Sequence, residues 1–372
     1  MKKIMLFIAG LFLLAGCGSL PKVQAPGATA EASPTTENTV EVVKPTSLPP
    51  ASKEITAMSF DVFEANTKLG RGVNLGNALE APNEGEWGVT LQEEYFQLIK
   101  EKGFNSVRIP IRWSAHAAET APYTIDPVFF KRVDWAVAQA LSNNLVTVIN
   151  MHHYLEIFQD PDGNKDRFVA IWQQIADHYK NYPAGLLFEP LNEPNGTLSA
   201  GKWNDLLAAT LPVIRQTNPN RNIVIGPADW YSLQRLADLV LPKDDQHIII
   251  SYHYYQPFQF THQGADWVDG SQAWMGTVWK GDSTARMLIN MDFNIVERWA
   301  KANNRPVYLG EFGAYSKADL DSRVLWTAFI ARTAEEHGFS WAYWEFCSGF
   351  GFYDPQLKTW NDRLVTALVP GQ

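Results

Sequence analysis

Short apolar runs alternate with amphipathic stretches of helical spacing along most of this chain, and no other feature restricts its fold as strongly. The alternation begins near Leu69 and continues to Leu368, and parallel strand–helix units produce such a pattern. Strands are expected at 72–75, 106–109, 146–153, 187–191, 222–226, 247–255, 306–311 and 340–345, each followed by a helix. Eight repeats predict an α/β fold, namely one (β/α)8 TIM barrel.

Two of these apolar runs end on a glutamate. Glu193 follows the run that begins at Leu187, and Pro194 terminates that run because proline has no N–H to donate to a strand ladder. Glu311 ends the run that begins at Pro306, before the turn residue Gly313. The C-terminal ends of barrel strands open on one face, so the two carboxylates should meet there. A facing pair of carboxylates is typical of glycoside hydrolysis.

Composition restricts the interpretation only in part. A chain of 372 residues could hold two average domains or one barrel with appendages. The net charge of −9 argues against a polyanion such as nucleic acid as a partner. Fourteen tryptophans are a weak indication of sugar binding, because sugar rings stack on their flat apolar faces.

The N-terminus has the pattern of an export signal. Lys2 and Lys3 precede an apolar run over 4–14, which is shorter than the ~20 residues that a membrane-spanning helix needs. Residues 14–17, Leu-Ala-Gly-Cys, resemble the bacterial lipoprotein signal, which implies cleavage before Cys17 and lipid attachment to it. The alternative is an ordinary signal peptide with an incidental cysteine. The lipoprotein interpretation implies an exported protein, held at an extracytoplasmic membrane or the cell surface only by this anchor.

Three segments are therefore expected: a signal peptide at 1–16, a tether at 17–57 and a catalytic domain at 58–372. The tether is rich in Pro, Ala and Thr and lacks aromatic residues between 18 and 57, so it cannot bury enough apolar surface to offset ordering. Cys347 is then the only other cysteine, which excludes an intramolecular disulfide and predicts a buried, small apolar residue at a strand end.

Several polar residues stand where the expected strands end, and the barrel would bring them together. They are Asn74, Asn77, Arg108, His152, His153, Asn192, Glu193, His253, Tyr255, Glu311, Trp344 and Glu345. Each also has a structural interpretation: Arg108 as an ion-pair partner, the paired histidines as satisfied core groups, Trp344 as packing. Glu189 lies inside a strand, where a structural ion pair is favoured over catalysis.

The motifs at these positions resemble glycoside hydrolase family 5. They are Val-Arg-Ile-Pro at 107–110, His-His-Tyr at 152–154, Asn-Glu-Pro at 192–194, His-Tyr-Tyr at 253–255 and Gly-Glu-Phe at 310–312, in that family's chain order. Residues 72–80 resemble the opening of its bacterial endoglucanase branch, which includes members that also cut mannan. The resemblance covers about 69–368.

The resemblance implies a retaining double displacement. Glu193 would be the acid and base, protonated near neutral pH, and Glu311 the ionised nucleophile. Arg108 and Tyr255 would donate hydrogen bonds to Glu311. Asn192 would bind the sugar 2-hydroxyl, and His253 would support the site.

Eight residues are candidates for substrate binding: Asn77, Glu80, His152, His153, Trp230, Trp267, Trp344 and Glu345. Packing is the alternative for all of these except the two histidines and Trp344. The two histidines would line the cleavage subsite with His253, and Trp344 would be the platform beneath that sugar. The other five would contact sugar hydroxyls or stack further along a cleft.

The expected activity is that of an endo-β-1,4-glycanase acting on cellulose, mixed-linkage β-glucan and glucomannan, with mannan as an additional candidate. No metal or organic cofactor is expected, and the protein should be a monomer. Two alternatives stay open: a zinc hydrolase, against which the adjacent His152 and His153 should point in opposite directions along a strand, and a non-catalytic glycan-binding lipoprotein. Asp160–Asn164 has some calcium-loop character, but a turn is favoured.

Overall fold

Eight parallel strands close into a barrel in the computed structural model, which describes residues 53–56 and 58–371. The strands are β1 Arg71–Asn74, β2 Ser106–Ile109, β3 Val146–Asn150, β4 Leu186–Glu189, β5 Ile223–Ile225, β6 Ile248–Tyr254, β7 Val307–Phe312 and β8 Ser340–Tyr343. Each strand pairs with its neighbours in chain order, and β8 pairs with β1. The predicted (β/α)8 TIM barrel is confirmed.

Helices surround the barrel. They are α1 Lys53–Thr56, α2 Val62–Leu69, α3 Glu93–Glu101, α4 Pro127–Ser142, α5 Leu155–Gln159, α6 Pro161–Tyr179, α7 Ala200–Thr217, α8 Ala228–Tyr231, α9 Phe258–Thr261, α10 Ser283–Asn303, α11 Leu320–Glu336 and α12 Asp362–Leu368. Three 3₁₀ helices lie at Trp113–His116, Leu233–Asp238 and Ser271–Trp274, and a short hairpin joins β9 Tyr353–Asp354 to β10 Thr359–Trp360.

The helix after β3 begins earlier than the sequence pattern suggests. The segment that was expected to form a turn, Asp160–Asn164, is the first turn of α6. The Asp160 carboxylate caps it by accepting a hydrogen bond of 3.0 Å from the Gly163 N–H, and Pro161 occupies the first helical position. The aspartates and glycine that suggested a loop are helix-start residues instead.

The strand register is irregular where β6 and β7 reach the C-terminal face. It shifts between Tyr252 and His253, so that His253 lies beside Glu311. A second shift affects the pairing of β7 with β8, between Leu309 and Phe312. Such irregularities re-aim side chains near the rim of a barrel. Here they bring His253 and Glu311 to the same level at the strand ends.

The structure orders part of the segment that was expected to be a tether. Residues 53–56 form α1, and Ile55 is 2% exposed because its side chain packs against Gly185. The folded unit therefore begins before residue 58. Cys17, the signal peptide and the rest of the tether lie outside the described residues. Within the described ranges, no helix is both long and apolar enough to cross a bilayer.

Cys347 differs in part from its expected environment. It follows β8 and carries no disulfide, but it is only partly buried. Its N–H donates to the Glu345 carboxylate at 2.9 Å. Burial raises the pKa of its thiol, with the Glu345 carboxylate as a second cause. The residue belongs to the loop that leaves β8 for the cleft.

Candidate active site

Arg108 lies at the centre of the C-terminal face with its side chain fully buried. Its Nε and Nη2 donate to the two Glu189 oxygens at 2.6 and 2.9 Å, and its Nη1 donates to Glu311 Oε1 at 2.8 Å. A bidentate guanidinium–carboxylate pair is strong and directional. The structural ion pair expected for Glu189 is present.

The remaining donor capacity of Arg108 orients two asparagines. Nη1 also donates to Asn74 Oδ1 and Nη2 to Asn192 Oδ1, both at 2.7 Å. Asn74 in turn donates through Nδ2 to the Gly310 carbonyl at 3.0 Å. These contacts link the ends of β1, β2, β4 and β7 through one cation.

Glu311 has a hydrogen-bond donor on each carboxylate oxygen. Arg108 occupies Oε1, and the Tyr255 hydroxyl donates to Oε2 at 2.9 Å. Burial raises the pKa of Glu311, while His253, Arg108 and the Tyr255 hydrogen bond act in the opposite direction. The sequence indicated only the lowering contacts. Burial outweighs them because a charged carboxylate loses its hydration at this depth.

Glu193 has a different environment. Its φ of +47° takes it out of the strand direction, and its Oε1 contacts His253 Nδ1 at 2.7 Å. Burial is the main cause that raises its pKa to about 7; Arg108 lowers it and Glu189 raises it further. Glu193 and Glu311 face each other, with one oxygen of each within 4.8 Å of the other.

His253 lies between the two carboxylates. Its Nδ1 is 2.7 Å from Glu193 Oε1 and 3.6 Å from Glu311 Oε2. Burial lowers the pKa of His253 to about 4, despite the opposing effect of Glu311. The imidazole that contacts Glu193 is therefore neutral at neutral pH. It does not take the proton from the Glu193 carboxyl group.

His152 and His153 both line the cleft. β3 ends at Asn150 and His153 has a φ of +50°, so the alternation of a strand no longer applies to them. The expectation that they point in opposite directions is wrong for this reason. The His152 ring stacks on Trp344, with centroids 5.8 Å apart and planes 13° apart, and Trp87 meets His153 edge-on at 5.4 Å.

The carboxylates open into a cleft of about 910 Å³. Six of the eight candidates for substrate binding line it, together with His253, Tyr255 and both glutamates; the six are Asn77, His152, His153, Trp230, Trp267 and Trp344. Trp230 and Trp267 are 55% and 61% exposed. Arg108 and Asn192 are buried next to these carboxylates, with exposed fractions of 0% and 4%.

Sequence reasoning missed several residues of the cleft wall. They are Trp87, Phe258, His262, Tyr315 and Phe350. Trp87 follows β1 and is 39% exposed. A search for aromatic residues in every loop after a strand would have found it. The others depend on how the loops after β6, β7 and β8 fold onto one another, as in the stack of Phe258 on His262 at 4.1 Å.

Glu80 and Glu345 are the two candidates that do not line the cleft. They are 0% and 1% exposed, and their carboxylates accept backbone N–H groups: Asn77 and Ala78 for Glu80, and Cys347, Ser348 and Phe350 for Glu345. Burial raises their pKa values to about 8 and about 7. Both residues were expected to contact sugar hydroxyls, and this expectation is corrected. Their oxygens already accept hydrogen bonds from the loops after β1 and β8, so their role is structural.

Comparison with known proteins gives a consistent result. The model of the cellulase family, glycosyl hydrolase family 5, matches residues 65–349. Endoglucanase H of Acetivibrio thermocellus is 39% identical over 333 residues, which cover 88% of this chain and 35% of that protein. Endoglucanase A of Ruminococcus albus is 30% identical over 352 residues, which cover 85% of this chain and 93% of that protein. The chain thus spans little more than a third of the length of endoglucanase H.

Solved structures agree. Thermotoga maritima Cel5A in complex with mannotriose is 53% identical with a TM-score of 0.82, covering 83% of this chain and 100% of that chain. The same enzyme with cellobiose is 54% identical with a TM-score of 0.82 and the same coverage. Because the family model covers well over half of the chain and includes every residue of the carboxylate site, the chain belongs to glycosyl hydrolase family 5, the cellulase family.

Proposed function

We propose that this protein is a retaining endo-β-1,4-glucanase that cuts β-1,4-linked glucans by double displacement. The observation that carries the proposal is the facing pair of Glu193 and Glu311, with carboxylate oxygens within 4.8 Å of each other. Retaining glycosidases hold their carboxyl groups ~5 to 5.5 Å apart, whereas inverting ones leave ~6.5 to 9.5 Å for a water molecule. The short separation favours direct attack by one carboxylate.

The surroundings assign the two roles. Glu311 receives a guanidinium and a phenol hydroxyl, which stabilise its anion and hold both oxygens. Among the described residues, Glu193 has no ion pair with an arginine or lysine, and its pKa of about 7 lets it keep a proton near neutrality. Glu311 is thus the nucleophile, and Glu193 is the acid.

In the first step Glu311 attacks the anomeric carbon, the glycosidic C–O bond breaks, and the departing oxygen takes the proton of Glu193. In the second step the Glu193 carboxylate takes a proton from water, the water oxygen attacks the same carbon, and the bond to Glu311 breaks. Asn192 would donate to the sugar 2-hydroxyl through Nδ2, because its Oδ1 already accepts from Arg108. That contact strengthens in the oxocarbenium-like transition state.

The shape of the site and the relatives together support the substrate class. The cleft of about 910 Å³ is lined by the exposed Trp230 and Trp267 as well as by both carboxylates, which suits an internal segment of a chain. Similar proteins carry the name endoglucanase, and the similar Cel5A has been solved with both cellobiose and mannotriose. Cellulose, mixed-linkage β-glucan and glucomannan are the proposed substrates, with mannan as a weaker one, since glucose and mannose differ only at C2.

Zinc hydrolysis is a poorer match to the same residues. Glu193, His253 and Glu311 offer two carboxylates and one imidazole in a single cluster. The donor set disfavours a metal, because both Glu311 oxygens accept protein hydrogen bonds and the Arg108 guanidinium lies 2.8 Å away. A cation bound there would have to displace or repel that guanidinium.

The first test is a substrate panel. A fragment that begins at Met58, where the catalytic domain was expected to start, would lack α1. The sample should therefore begin at Lys53. It should release reducing ends and rapidly lower the viscosity of carboxymethylcellulose, β-glucan and glucomannan, with slower cutting of mannan, before and after thorough chelation. Folded protein that yields no reducing ends would contradict the enzyme proposal, and loss of activity on chelation would favour zinc.

The roles of the carboxylates can be separated by azide rescue. Glu193→Ala should lose polysaccharide activity by about 10²-fold or more, since it lacks the general acid. With an activated aryl β-glycoside, azide should restore turnover and yield the β-glycosyl azide. The matched variant Glu311→Ala should instead yield the α-azide. An α-azide from Glu193→Ala would contradict retention and the assignment of the acid.

The pH dependence of kcat/KM follows from the two pKa shifts. Activity needs Glu193 protonated, so it should fall about tenfold per pH unit above about 7. It also needs Glu311 ionised, and because burial raises that pKa, the acid limb should lie above 4.5. In Glu193→Ala the alkaline limb should disappear with an aryl glycoside. An unchanged alkaline limb would assign it to another group.

We also propose that the protein is exported and anchored through lipid on Cys17. The support is the charged start, the apolar run and the Leu-Ala-Gly-Cys sequence at 14–17. In an expressing bacterium, the activity of the full chain should sediment with membranes, and Cys17→Ser should shift it to the soluble fraction. Equal distribution of both variants would contradict the anchor.

A further inference from the structure

The short element α8 after β5 is not a regular right-handed helix, because three of its four residues have left-handed backbone conformations. Asp229, Trp230 and Tyr231 have φ values of +63°, +58° and +55°, and none of them is glycine. Side chains disfavour this conformation, so it normally occurs at single residues. Such strain persists only where surrounding contacts over-determine it, and it concentrates at functional sites.

Contacts to the segment around Glu193 hold the turn. The N–H groups of Asp229 and Trp230 both point at the Pro194 carbonyl, at 2.7 and 3.3 Å. The Tyr231 hydroxyl donates to the Leu191 carbonyl at 2.6 Å. The turn therefore hydrogen-bonds to the backbone on both sides of Glu193, at Leu191 two residues before it and at Pro194 one residue after it.

The Tyr231 ring is as closely held as its hydroxyl. It is 0% exposed and lies over Gly226, where a Cβ would be 2.4 Å from the ring. Its other side meets the His253 ring edge-on, with centroids 4.9 Å apart. Burial raises the pKa of Tyr231 well above its ordinary value, with Glu189 as the next cause, so the hydroxyl stays a donor at any working pH.

The geometry points to Tyr231 as a positioning residue for the general acid: it holds Glu193 through the Leu191 carbonyl and holds His253, the partner of Glu193, through its ring. The inference rests on the acid role proposed for Glu193. Tyr231 does not line the cleft, so it acts on protonation of the leaving group and not on substrate binding. Trp230 belongs to the same turn and lines the cleft.

The test compares substrates that differ in their need for the acid. Tyr231→Phe removes only the hydroxyl. It should lower kcat/KM about tenfold for glucan and for aryl cellobiosides with poor leaving groups, through kcat and not KM. It should change kcat/KM less than twofold for a dinitrophenyl cellobioside, whose departure needs no proton. Tyr231→Leu, which also removes the ring beside His253, should increase the first loss and shift the alkaline limb.

Tyr252→Phe is the matched control. Tyr252 is also 0% exposed, on the neighbouring β6, but its ring packs against Phe293 at 5.7 Å, away from the carboxylates. It should leave the ratio between the two kinds of leaving group unchanged. Equal loss on all substrates with Tyr231→Phe, or no loss on any, would overturn the positioning role. An inactive wild type would instead count against the proposed function, so the two failures are distinguishable.

Discussion

The site depends on one buried cation. Arg108 has no exposure, and it is surrounded by Glu189, Glu311, Asn74 and Asn192, each within 2.9 Å. A guanidinium at this depth is tolerable only if its charge and its donors are matched, because the loss of hydration costs several kcal/mol per ion. The match is made by residues at the ends of β1, β4 and β7, which are three strands besides β2, the strand of Arg108. These contacts hold the ends of the strands in one arrangement. The ion pairs and hydrogen bonds of Arg108 thereby position the side chains at the base of the cleft.

Glu189 and Glu311 illustrate how the same cation produces two outcomes. Glu189 accepts hydrogen bonds from two of the guanidinium nitrogens, and both side chains are fully buried. Glu311 takes one contact through Oε1 and shares its other oxygen with Tyr255 at the cleft. Glu193 contacts His253 instead, and burial raises its pKa to about 7 although Arg108 lowers it. The three carboxylates thus differ in their contacts with this one guanidinium and in the surroundings that shift their pKa values.

Buried acids away from the cleft have a different task. Glu80 and Glu345 accept backbone N–H groups of the loops that follow β1 and β8. These loops carry Asn77 and Ser348, whose side chains hydrogen-bond to each other at 2.6 Å and line the cleft. The carboxylates therefore shape the cleft wall from behind. The left-handed turn at Tyr231 contacts the backbone beside Glu193 through the N–H groups of Asp229 and Trp230 and through the Tyr231 hydroxyl.

The sequence by itself determined the barrel and the polar residues at or just beyond its strand ends, although β3 ends at Asn150 and not at 153 as expected. Hydrophobic periodicity is local, and the C-terminal ends of parallel strands must share a face, so Arg108, Glu193 and Glu311 were predictable as neighbours. Only the tertiary structure decided which of the neighbours reach the cleft. Glu80 and His153 resemble each other in the sequence as polar residues after a strand, yet one turns to backbone amides and the other to the cleft. That choice follows from loop dihedrals and from contacts between distant segments, which no local pattern in the chain encodes.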